Sequence, residues 1–194
     1  MDRSKILGEE KIGRLLLKFS IPAVIGMLIS ALYNIVDRIF IGRGVGSLGI
    51  AGVTIGFPIV TIIMSFAILI SVGASALISI KLGEKNKQGA ESILGNATVL
   101  LFIASLVITI IGLVATDPLL RLFGASNTTL PYAKAYMQII LCGTIFQMIE
   151  FGMNSFIRAE GNPKVAMITM LIGTVLNIIL DPLFIFVFKM GIKG

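Results

Sequence analysis

Five stretches of this chain stay apolar for longer than a bilayer is thick. They run roughly over 15–42, 51–80, 93–116, 134–157 and 165–188. About 20 helical residues cross the ~30 Å of hydrocarbon. Inside hydrocarbon, every backbone N–H and C=O must find its partner within a helix or a closed barrel. No run shows the alternation of a barrel strand, so each one predicts a helix. The expected fold is all-α, a polytopic membrane helix bundle of five transmembrane helices forming one domain over residues 1–194. Only 13% of the residues are charged, against about 25% in a soluble domain. The mean hydropathy is +1.01.

Several function classes drop out at once. The chain has no His, so no histidine can serve as metal ligand, base or proton relay. Cys142 is the single cysteine, which excludes an intrachain disulfide. No GxSxG, HExxH or P-loop motif is present, and an enzyme is not expected. No resident cofactor is expected either. The net charge of +6 reads as membrane topology rather than nucleic-acid binding.

Lys and Arg set that topology. Ten of them fall in the N-terminal segment, in 81–91 and in 158–164; six fall on the opposite side. The excess places the N-terminus in the cytoplasm of a plasma-membrane protein. Residues 1–14 are expected as a cytoplasmic amphipathic segment on the anionic inner leaflet. The first apolar run exceeds the ~7–15 residues of a signal peptide and lacks an A-x-A-like exit, so it reads as a retained span. Pro58, inside the overlong second run, predicts a kink or tilt. The links 81–91 and 158–164 read as turns, and Asp117 before Pro118 reads as a solvated loop acid.

Polar residues then fall on stripes at helical spacing. The first span carries Gly26, Ser30, Tyr33, Asn34 and Asp37. The fourth carries Gly143, Gln147, Glu150 and Asn154, and the fifth Gly173, Thr174, Asn177 and Asp181. Gly, Ser and Thr alone would serve close helix packing. Acids and amides are not needed for packing, because a charge at the bilayer centre costs at least ~2.5–3.5 kcal/mol. They point to a hydrated cavity. Asp37 is 19 residues beyond Lys18 and Asp181 is 17 beyond Lys164. At 1.5 Å per residue these are depths of about 28 and 26 Å, so the two acids are expected at one level. Two carboxylates there can share a proton or hold a cation. Asn177, four residues before Asp181, adds a neutral oxygen suited to Na⁺. Pro182 lacks the N–H that would bond the Ile178 carbonyl, and a kink there would offer backbone oxygen to an ion.

The segments SIPAVIGMLISALYNIVDRIFIG (20–42) and RAEGNPKVAMITMLIGTVLNIILDPLFIF (158–186) resemble the N-terminal half of the multidrug and toxic compound extrusion (MATE) transporters. The Pro22-to-Asp37 spacing and the Arg-Ala-x-Gly-Asn-Pro turn leading into Asn-x-x-x-Asp-Pro carry the resemblance. The Glu160 variant of that turn resembles the bacterial Na⁺-driven branch. The resemblance implies a twelve-helix fold in two six-helix lobes, of which this chain would be an incomplete first lobe. It implies antiport of small organic cations against Na⁺ or H⁺. It implies that Asp37, Asn154, Asn177 and Asp181 form the coupling site. Na⁺ would contact Asp37, Asn177 and Asp181, while Tyr33, Asn34 and Gln147 would line the substrate cavity. The implied partners are the lipid bilayer, the organic cation and a second lobe. A related flippase for lipid-linked oligosaccharides needs a cationic cavity, and no stripe contains Lys or Arg. A non-transporting fragment or assembly subunit is the remaining alternative.

Overall fold

The computed structural model describes residues 12–193. Most of the amphipathic segment expected at 1–14, and the Ser30 side chain, lie outside what it describes. Among the described residues the regular structure is all helical, without strands. Helix α1 spans Ile12–Gly44, α2 Ser47–Gly83, α3 Lys87–Val114, α4 Thr116–Leu122, α5 Leu130–Ala159 and α6 Pro163–Pro182. A π turn, Leu183–Val187, and a 3₁₀ turn, Gly191–Lys193, follow. Five segments are long and apolar enough to cross a membrane: Ser20–Gly44, Ser47–Gly83, Lys87–Val114, Leu130–Ala159 and Pro163–Val187.

The helices run past the apolar stretches, and the turns between them are correspondingly short. Between α1 and α2 only Val45 and Gly46 are non-helical. Gly46 has φ 85°, a left-handed conformation that glycine adopts without steric cost. Asn86 caps α3 by accepting the Gly89 amide at 2.8 Å, and Pro163 opens α6, where its missing N–H costs nothing. Helix α2 continues through Pro58 without a break. At 37 residues it is about 55 Å long and projects beyond the hydrocarbon.

Asp117 corrects one expectation. It is not a free loop acid: it lies in the first turn of α4, and Lys134 of α5 pairs with it at 2.9 Å. The negative charge sits at the helix end where the backbone dipole favours it. Both side chains are nearly half exposed, so Lys134→Met should lower thermal stability by less than about 1 kcal/mol. A thermal-shift assay checks this.

The main core belongs to three helices. Ile59, Ile63, Ala67 and Ile78 of α2 meet Ala97 and Leu101 of α3 and Met137, Leu141, Met148 and Phe156 of α5. None of these core residues comes from α1 or α6. Those two helices pack chiefly on each other, with Gly26 of α1 facing the Met170 sulfur of α6. The molecule is therefore a packed trio with a pair laid along its side.

Candidate functional site

The pair carries the acids. Tyr33 and Asp37 lie four residues apart on α1, one above the other on a single face. Asp181 is the penultimate residue of α6. The Tyr33 hydroxyl reaches the Asp181 carboxyl as a hydrogen-bond partner, and Asp37 is close enough to act on both. Tyr33, Asp37 and Asp181 are all partly buried. Asp181 Oδ2 is buried without any hydrogen-bond partner among the described residues. An orphaned carboxylate oxygen in an apolar span is costly. It fits a site where a cation or a proton completes the shell.

The local backbone supports this reading. Pro182 offers the Ile178 carbonyl no donor, and the Leu183 amide bonds back to Leu180 rather than continuing the α pattern. The chain then widens into the π turn, closed by the Phe188 amide donating to the Leu183 carbonyl at 2.9 Å. Such turns are frequent at functional sites. Ile185 of the turn is buried against Gly44, and Phe186 meets Phe40 edge-on at 6.2 Å.

A third helix contributes a residue that the sequence reading missed. Tyr136 of α5, partly buried, lies near enough to Tyr33, Asp37 and Arg38 to interact with them electrostatically. Gly56 of α2 makes room for it: a Cβ there would lie 3.4 Å from the Tyr136 ring. The available signal was spacing. Tyr136 stands seven residues before Gly143 and extends the α5 stripe by two turns. A tyrosine near a span end reads as an interfacial anchor, which masked it.

The remaining expected residues are placed differently. Asn177 sits one turn before Asp181 and is exposed, as is Asn34, while Gln147 is partly buried on α5. Asn154 is separated from the acids. Its Nδ2 donates to the Ala166 carbonyl at 2.9 Å and the Thr169 hydroxyl at 3.0 Å, both on α6. Thr169 lies twelve residues before Asp181 on the same helix, or about 18 Å along its axis. The antiparallel register of α5 and α6 therefore sets Asn154 deep in the other half of the span. It does not join Asp37, Asn177 and Asp181 as a ligand of one ion.

Comparison with known proteins agrees with this architecture. The MatE family model matches residues 22–183. The multidrug export protein MepA of Staphylococcus haemolyticus is 33% identical over 186 residues, which cover 96% of this chain and 41% of that protein. MepA of Staphylococcus aureus strain NCTC 8325 is 32% identical over 179 residues. The MATE multidrug transporter DinF-BH, solved as a complex, is 47% identical. It superposes with a TM-score of 0.90 over 96% of this chain and 42% of its own. A crystal structure of MATE in the bent conformation gives 32% identity and a TM-score of 0.91 over 100% of this chain and 43% of its own. The chain spans about two-fifths of the length of the relatives it matches. The chain belongs to the MatE family of multidrug efflux transporters.

Proposed function

We propose that this chain supplies the cation-coupling helices of an antiporter that exports small organic cations in exchange for Na⁺ or H⁺. One observation carries the reading: Asp181 presents an orphaned buried oxygen beside Asp37 and the Tyr33 hydroxyl. Asp37 and Asp181 bind the coupling ion, and Asn177 stands one turn away to extend the shell. Tyr33, Asn34 and Gln147 face the substrate cavity. The chain lies in the plasma membrane with its N-terminus in the cytoplasm, as the Lys and Arg excess supports. A second helical lobe is its partner, because alternating access moves one bundle against another. The names of MepA, a multidrug export protein, and of DinF-BH, a multidrug transporter, agree with drug-like substrates.

The tyrosines provide the test. The chain has three tyrosines and no tryptophan, and two of the three, Tyr33 and Tyr136, flank the acids. Na⁺ added to the purified chain in lipid nanodiscs should change tyrosine fluorescence saturably, whereas K⁺ at equal ionic strength should not. A proton-only site would respond to pH and ignore Na⁺. A signal that responds to neither would refute the reading.

A further inference from the structure

Glu150 is the acid that the Asp37–Asp181 site leaves unused. It lies on α5 nine residues before the helix end at Ala159, about 14 Å along the axis. The apolar run 134–157 sets Glu150 seven residues inside its end, about 10 Å. Its side chain is exposed on the described surface, and it forms no ion pair among the described residues. The positive charge acting on it is Arg158, two helical turns away. An ionised carboxylate at that depth is costly against lipid, so its side of α5 suits a polar surface or a hydrated cavity rather than acyl chains.

One turn further on, Asn154 is only 4% exposed. Its amide is held in one orientation: Nδ2 donates to Ala166 and Thr169, and Thr169 passes its own proton to the Ala166 carbonyl at 2.8 Å. This leaves Oδ1 buried, and it has no partner among the described residues. Side chains on a helix lean toward its N-terminus, which carries the Asn154 amide over the turn that begins at Glu150. Residues at i and i+4 have Cβ atoms about 5–6 Å apart. A carboxylate and an orphaned amide oxygen at that spacing are hard oxygen ligands without a cation.

We propose that Glu150 and Asn154 form a second Na⁺ site, separate from the acid pair. Glu150 supplies the charge and the Asn154 Oδ1 a fixed neutral ligand, with water completing the shell. Along α5 this site stands fourteen residues, about 21 Å, from Tyr136, the α5 residue on which Asp37 acts. Gln147 and Gly143 lie between them on the same stripe. The α5 groove then holds one cation station in each half of the membrane. This assignment does not rest on the acid pair's binding an ion.

Equilibrium binding of ²²Na⁺ to the purified chain in nanodiscs tests it. Wild type should bind one more equivalent than Glu150→Gln. Asp181→Asn should lose a different equivalent, and the double variant should lose both. Because Glu150 is exposed, Glu150→Gln leaves the packing intact. Glu150→Asp retains the carboxylate and should retain the equivalent at lower affinity. Asn154→Ala should weaken that equivalent and spare the other. If Glu150→Gln binds as much Na⁺ as wild type, the second site does not exist, whatever Asp181→Asn does. If Glu150→Gln instead removes only a titratable proton and leaves Na⁺ stoichiometry unchanged, the Na⁺ assignment is overturned.

Discussion

Asp181→Asn should all but abolish the Na⁺ response of tyrosine fluorescence. The substitution keeps the side chain's shape and its hydrogen-bonding reach to Tyr33, but removes the negative charge and turns one oxygen into an amide. A hydrogen bond or ligand contact to a charged group contributes about 1.5–3 kcal/mol, so affinity should fall roughly 10- to 150-fold. Asp37→Asn should act in the same direction. Tyr33→Phe removes the hydroxyl partner and a reporter together, so its effect is read by ²²Na⁺ binding rather than fluorescence. Helicity by circular dichroism should be unaltered in all three, because none of these side chains belongs to the trio's core. A wild-type titration curve for Asp181→Asn would remove the acid pair from any coupling role.

The largest loss of stability should come from a glycine that lies away from the acids. A Cβ added at Gly52 of α2 would sit 2.9 Å from the Ala133 amide nitrogen and 3.1 Å from the Tyr132 carbonyl carbon of α5. Backbone cannot rotate aside as a side chain can. Gly52→Leu must therefore push α2 and α5 apart, and those helices make the most extensive contact in the molecule. Overpacking of this kind costs about 1–3 kcal/mol, or roughly 2–12 °C of melting temperature for a chain of this size. It should also disturb Tyr136, one turn beyond the forced contact. Gly73 lies on the same helix with nothing within 4 Å of its Cβ position, so Gly73→Ala is the control and should melt no lower than wild type, with a small gain from the better helix former. Equal melting points for Gly52→Leu and wild type would show that the seam yields freely.

The spans could be read from the sequence because hydrocarbon imposes one length and one backbone geometry. Hydropathy alone separates the five long apolar helices among the described residues. The helix ends could not be read that way, since Ser47 begins its helix after the left-handed turn at Gly46 and Lys87 after the Asn86 cap. Asp37 and Asp181 stood out because their cost in lipid is large and local. Placing Asn154 needs the register between α5 and α6, which depends on the three-residue turn at 160–162 and on which faces meet. No stripe encodes that. Tyr136 was hidden for the opposite reason: its side chain has an ordinary explanation at a membrane interface, and only the neighbouring helix shows which way it faces.

The pairing of α1 with α6 also sets an order of assembly. Asp37 and Asp181 are 144 residues apart in sequence, and synthesis at about 5–20 residues per second separates their appearance by roughly 7–30 s. During that interval α1 is in the bilayer without the helix it is built to pack on. Its tyrosine and carboxylate must stay hydrated or at the interface until the trio has formed and α6 arrives. The acid pair therefore closes only after the trio has formed and α6 has joined α1, and until then Asp37 stands without the helix that α1 packs on.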